Sequence, residues 1–416
     1  MNPLLNLHII VVAIQLFIWP LDVQARNGGF LYGTIQTVDG DLYEGHLRWG
    51  DEEAFWTDIF NASKPENPYI KFLTKEERDE IFGNKTRNVI KTSRWWQSYF
   101  VKIVYDNPFF THRFSVQFGD LRSIRVIDDD VVIAKLKNGS EIELDGQGYN
   151  DIGTTVHIKD KQIGGIELDW DRIRLVTFSQ APSSAVVFGQ PIFGRVFTDN
   201  GEYTGFIQWD HHERLSTDKL DGKSKDGSVS IDFGNIKSIK KLRDGCLVTL
   251  QSGREMRLGN TNDVDDGNRG IIITLPDLGR IDVPWDYFQK VDFVEALHGM
   301  EDYDSFKAPK KLVGSITTKE DEVFSGKIIY DLDEEYDIEV LEGERYDLEY
   351  TIPFRNIKRI ERKTPKLTLV TLENDAVIEL GQSRDVSIGH SGFLVGKNHD
   401  YLSWDDVYSI TLDNTD

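Results

Sequence analysis

Cysteine is all but absent: the chain carries one, Cys246, in 416 residues. No intramolecular disulfide can form, so the fold must rest on its core. Cys246 heads the apolar run Cys246-Leu247-Val248-Thr249-Leu250 and reads as a buried small hydrophobe rather than a nucleophile. Positive charge is scarce too. Against 70 Asp and Glu stand 48 Lys and Arg, a net charge of -22, which repels nucleic acid and anionic lipid and leaves neutral or cationic partners, or a local exception. Beyond the first residues no stretch approaches the ~18 consecutive apolar residues of a membrane helix. Also missing are His-Glu-x-x-His, Gly-x-Ser-x-Gly, a Walker loop and a dinucleotide fingerprint. No pattern names a catalytic residue, a metal ligand or a cofactor, so an enzyme is the less favoured class.

What is present begins with an export signal. Residues 9–19 form an apolar run, and Val23-Gln24-Ala25 offers small residues for cleavage before Arg26. Residues 1–25 therefore read as a signal peptide, with an uncleaved anchor as the alternative because no Lys or Arg precedes the run. The implied location is periplasmic or extracellular. After cleavage the protein is not integral to the membrane.

The rest is organised by repetition. Trp285-Asp286-Tyr287-Phe288-Gln289-Lys290-Val291-Asp292-Phe293 matches Trp170-Asp171-Arg172-Ile173-Arg174-Leu175-Val176-Thr177-Phe178 and Trp404-Asp405-Asp406-Val407-Tyr408-Ser409-Ile410-Thr411-Leu412 in its aromatic, acidic and apolar positions. Glycine-started hairpins recur at 33–49, 194–209 and 314–330, with apolar alternation about a turn such as Asp39-Gly40 or Asn200-Gly201 and a second glycine inside a strand. Such a glycine marks a bulge or bend. A third element, Phe118-Gly119-Asp120, Phe233-Gly234-Asn235 or Phe354-Arg355-Asn356, follows each hairpin.

The expectation is an all-β chain of three tandem repeats, 26–178, 187–294 and 311–412. Each is a pair of half-units of about 50 residues that must stack to bury their edges. The Trp-Asp pairs read as core anchors, with sugar-stacking platforms as the alternative. The acidic segments Asp51-Glu52-Glu53, His211-His212-Glu213 and Asp333-Glu334-Glu335 read as solvated turns.

The first repeat carries an insertion, roughly 64–110. Within it Thr74-Lys75-Glu76-Glu77 is a capping box, and a short helix should run to Gly83. Arg87, Lys91, Arg94, Trp95 and Trp96 follow, a dense basic and aromatic patch in an acidic chain. These five are the candidate binding residues.

The first half of each repeat resembles the Sm-like small β-barrel, through Gly201, Gly205 and Trp209-Asp210 and, more loosely, through Phe233-Gly234-Asn235-Ile236. The resemblance implies barrel-like units. It does not bring RNA binding with it, because the family's arginine before the glycine is replaced by Phe118 and Phe233, and Arg355 stands at the glycine position in the third copy. The reading is an exported, non-enzymatic β-repeat protein, a binding or assembly module of the cell envelope. It meets a protein or envelope component, a glycan included, through the insertion. The competing class is a secreted carbohydrate-active hydrolase, which needs a cleft holding a close carboxyl pair with one raised pKa.

Overall fold

A computed structural model describes residues 29–85, 112–146, 148–296, 298–387 and 389–414. Residues 1–25 and the patch of Arg87, Lys91, Arg94, Trp95 and Trp96 lie outside the described residues. The chain is all-β, with one α-helix among the described residues.

Residues 32–178 form β1 (Tyr32–Thr37), β2 (Leu42–Trp49), β3 (Ile59–Lys64), β4 (His112–Gln117), β5 (Leu121–Asp128), β6 (Val131–Leu136), β7 (Glu141–Asp145), β8 (Val156–Asp160), β9 (Gly164–Leu168) and β10 (Ile173–Phe178). Residues 193–293 form β11 (Phe193–Thr198), β12 (Gly201–Trp209), β13 (Lys219–Ser224), β14 (Gly227–Asp232), β15 (Ile236–Lys241), β16 (Cys246–Leu250), β17 (Glu255–Leu258), β18 (Ile271–Leu275), β19 (Gly279–Val283) and β20 (Phe288–Phe293). Residues 313–412 form β21 (Val313–Thr318), β22 (Val323–Ile329), β23 (Val340–Arg345), β24 (Leu348–Pro353), β25 (Ile357–Thr364), β26 (Leu367–Leu372), β27 (Val377–Gly381), β28 (Phe393–Val395), β29 (Asp400–Leu402) and β30 (Val407–Leu412).

The first set is ordered β4-β3-β7-β6-β5-β10-β1-β2-β8-β9. The same antiparallel partners recur in the second set and in the third. The half-units therefore do more than stack: they exchange strands. Hairpin β1-β2 pairs with β8-β9, hairpin β6-β7 pairs with β3-β4, and the closing strands β5 and β10 pair at the centre. In the second set a single bridge, Lys223 to Gly259, stands for the β3–β7 contact.

The recurring aromatic stretches are the 3-10 turns that feed these central strands, Phe118–Asp120 before β5 and Trp170–Arg172 before β10, with Phe233–Asn235 and Trp285–Tyr287 in the second set. Trp170, Trp285 and Trp404 are buried and their neighbours Asp171, Asp286 and Asp405 are exposed. Across the exchange, Trp49 meets Trp170 at 5.9 Å and Trp209 meets Trp285 at 5.9 Å, both edge to face. In the third set Tyr330 and Trp404 sandwich His390.

The strand glycines have one cause. A Cβ at Gly45 would lie 2.0 Å from the Lys159 carbonyl oxygen and one at Gly205 2.5 Å from that of Thr274, because β8 and β18 cross there at backbone distance.

The second and third sets share one hydrophobic core running from Ile192 to Leu412. They join through β19 and β24, with Arg280 opposite Thr351, Ile281 opposite Tyr350 and Asp282 opposite Glu349. The first set has its own core, into which the connecting segment inserts Tyr303 and Phe306. Cys246 is buried in the shared core and its thiol is pushed up to about 12, mainly by burial. Among the described residues no helix is long and apolar enough to cross a membrane.

Candidate functional site

The insertion leaves from a hairpin tip. In the second and third sets that hairpin closes tightly, its last pairs being Ser224 with Gly227 and Arg345 with Leu348. In the first set the last pair is Lys64 with His112, and residues 65–85 depart over the third set. The helix α1 (Lys75–Lys85) starts at the capping box read from sequence: the Thr74 amide donates to Glu77 Oε2 at 2.6 Å and the Glu77 amide donates to Thr74 Oγ1 at 3.2 Å. It runs two residues past Gly83, where the sequence placed its end. Leu73 and Ile81 pack on Ile329, Leu332 and Leu394, Phe72 stacks on His399 at 3.7 Å, and Asn67 donates to the Leu332 carbonyl at 2.8 Å.

Under this bridge lies a cleft of about 470 Å³, lined among others by Lys64, Glu66, Tyr69, Glu143, Glu335 and Tyr336. Its floor is an ion cluster. Lys64 Nζ reaches Asp333 Oδ1 at 3.1 Å and Glu339 Oε1 at 2.5 Å, and His112 Nδ1 lies 3.3 Å from Asp333 Oδ2. Burial opposes ionisation of Asp333, but Lys64 and His112 more than offset it and hold the carboxyl well below the usual range. At the rim Glu66 and Glu143 are exposed and, among the described residues, neither pairs with a cation. The Tyr336 ring already carries Lys311 Nζ at 3.5 Å, and the Tyr69 ring with the free carboxylates suits a further cationic group.

The acidic segments are the main correction to the sequence reading. Asp51 is exposed, but the glutamate of each segment folds back out of solvent. After Trp49 the chain turns through Gly50 in the left-handed region, and after Trp209 through Asp210 and His211. Glu53 and Glu213 are thereby brought back to bridge Trp49 and Trp209, as Glu334 bridges Tyr330. Glu53 is buried, Glu213 and Glu334 are half-buried, and each faces an aspartate from the other half-unit. Asp151 accepts the Trp49 indole N–H on its carbonyl at 2.7 Å and the Asn61 amide on its carboxylate at 2.6 Å. Asp263 does the same for Trp209 and Asp221, and Asp385 for Tyr330 and Glu342.

Burial first, and then the facing acid, pushes Glu213 up to about 8 and Glu53 well above its usual range, and burial followed by Asp333 and the facing Asp385 does the same for Glu334. Burial likewise lifts Asp151 to about 7 and Asp263 to about 6. The Asn262–Gly267 segment is thus the turn that delivers Asp263. His211 and His212 turn to different partners, Asp282 and Glu52.

These raised values carry a pH prediction. The groups bind protons in the folded state that the unfolded chain has released, so their contribution is complete below the unfolded pKa near 4 and is lost as pH rises through 6 to 8. The slope is about 1.4 kcal/mol per pH unit for each carboxyl inside its titration range. Thermal unfolding followed from pH 5 to 9 should show stability falling. Glu213→Gln should flatten the fall, and an unchanged slope in that variant would remove Glu213 as a source.

Beside the first acid pair, Glu52 is drawn the other way. Burial opposes its ionisation, yet His212 at 3.2 Å and Arg269 at 3.3 Å lower it to about 2. A small cleft of about 180 Å³ holds Asp51, Glu52, Glu53, Asp151 and His212. It therefore places a carboxyl held low, Glu52, beside two pushed up, Glu53 and Asp151, the feature the hydrolase reading requires. Among the described residues no group of three or more His, Cys, Asp or Glu is arranged to hold a metal ion. Compared with protein-family models, curated proteins and solved structures, the chain matches none, so its function is read from these sites alone.

Proposed function

We propose that this protein is an exported, non-enzymatic binding module of the cell envelope, and that it takes a protein or envelope component at the insertion-bridged cleft between its first and third strand sets. The observation that carries the reading is the departure of the insertion from Lys64 and His112. Two otherwise equivalent hairpins close in tight turns, and the one that does not is extended over a cleft with unpaired carboxylates and aromatic walls. Arg87, Lys91, Arg94, Trp95 and Trp96 would contribute from the inserted segment itself.

The test replaces residues 65–111 by the two-residue turn Lys225-Asp226 and compares cross-linked capture from native envelopes. At least a tenfold loss of a specific partner is expected, and equal capture would remove the site. Export is checked by the N-terminus of the secreted chain, expected at Arg26. A chain that begins at Met1 and stays with the membrane would favour an anchor.

A second reading rests on the divergent carboxyls Glu52 and Glu53. If the chain is a glycoside hydrolase, it should release sugars from a polysaccharide panel, and Glu53→Gln should abolish this while keeping the fold. The recurrence of the same acid pair in all three sets favours a role in the fold instead.

A further inference from the structure

The joint between β19 and β24 is made by two sheet edges that exist three times in the molecule. In each set the order ends with the strand equivalent to β9 on one side and with the strand equivalent to β4 on the other. β19 and β24 satisfy each other. β29 lies under the insertion, with Tyr401 against the cluster of Leu73 and Ile81 and with Phe72 on His399. β4 faces the third set, where Arg113 pairs with Glu342 and His112 with Asp333. Two edges remain. Among the described residues β9 pairs only with β8, and β14 only with β13. They are of opposite kinds, one of each type that makes the internal joint.

We propose that β9 of one chain adds to β14 of a second copy, so that the protein assembles head to tail by continuing the strand pairing already present between β19 and β24. This stands independently of the cleft reading. Aligning the strands on the aromatic turns that follow them gives the antiparallel register: Gly165 opposite Ser230, Ile166 opposite Val229 and Glu167 opposite Ser228. At the internal joint the central pair is Ile281 with Tyr350, both buried. Its counterparts Ile166 and Val229 are apolar and still partly exposed, and Ile163 beside them is 60% exposed. The internal joint sets Asp282 against Glu349, whose carboxyl is pushed up to about 7 by burial and then by Asp282. The intermolecular register replaces that like-charge contact by Glu167 against Ser228.

Natural sheet edges are blunted by lysine, proline or a bulge. Neither Gly164–Leu168 nor Gly227–Asp232 contains a lysine or a proline, and both ladders run without a register shift. Backbone pairing of this kind is a general mode of strand addition. Because the two edges differ, the contact is heterologous and leaves a free edge at each end of the assembly, so that it closes as a ring or grows as a filament.

The test is sedimentation velocity of the full exported chain over a hundredfold concentration range. Proline is scanned through 165–167 and through 228–230, and one variant from each edge is kept whose thermal stability equals that of the parent. The parent should sediment with a mass that rises with concentration above that of one chain. Either variant alone should stay monomeric, with association weakened at least tenfold. An equimolar mixture of the two should stop at a dimer, since each partner supplies one intact edge. A parent that is monomeric throughout, or oligomers that survive both substitutions, would overturn the proposal.

Discussion

Trp285→Ala should lower the unfolding free energy by about 3–5 kcal/mol, the range for truncating a large buried aromatic side chain. Its ring stacks on Phe288 at 5.3 Å, meets Trp209 edge to face and lies under Lys241 Nζ at 5.1 Å. The loss would open a cavity where the exchanged halves meet, and neighbouring strands pinned by backbone pairing cannot collapse into it. Asp286→Ala is the control. Its side chain is exposed, and the change should stay within about 0.5 kcal/mol. A denaturant midpoint for Trp285→Ala equal to the parent's would take the tryptophan out of the core and return it to the role of a binding platform.

Asp58→Ala should be as damaging, at about 3–5 kcal/mol. The Asp58 carboxylate accepts the Ala54 and Phe55 amides, each at 2.7 Å, and the Arg214 guanidinium at 2.6 Å, with both side chains of the ion pair 3% exposed. Removing it leaves the buried Arg214 cation without its counter-ion, held by the Glu52 carbonyl at 2.6 Å, and two N–H groups without their acceptor. The equivalent carboxylate Asp218 caps the same turn in the second set and binds Arg48 at 2.7 Å, but in a more exposed position. Asp218→Ala should therefore cost less, about 1.5–3 kcal/mol. Pairing Asp58→Leu with Arg214→Met should recover only part of the loss, since the two amides stay orphaned. Chemical denaturation of the three variants reads the ranking, and equal costs at Asp58 and Asp218 would mean that burial of the ion pair is not what decides.

Much of this architecture is legible in the sequence. The hairpins follow from apolar alternation and turn glycines, the start of α1 from Thr74 and Glu77, and the place of the insertion from the spacing of the repeats. Other features leave a subtler signal in the sequence. Glu53, Glu213 and Glu334 each stand four residues after the aromatic at the end of a hairpin, Trp49, Trp209 or Tyr330, while the residues between them change, and a fixed acid among drifting neighbours marks a position held by packing rather than a freely solvated one. Asp151-Ile152, Asp263-Val264 and Asp385-Val386 repeat in the same way. The cleft left no such trace, because Lys64 and His112 are separated by the whole insertion and meet Asp333 only across the boundary between sets.

By itself the sequence determined the strands, their turns, the threefold recurrence and the aromatic anchors, since period-two burial, turn chemistry and a repeated core position are all written in local spacing. Only the tertiary structure decided which hairpin joins which half and which carboxyls lose their water. Strand partners are chosen by edges distant in the chain, and every half-unit here offers the same kinds of edge, so the local pattern fits stacked and exchanged halves equally well. A glutamate's protonation depends on what packs over it, and in this protein that cover comes from the other half-unit.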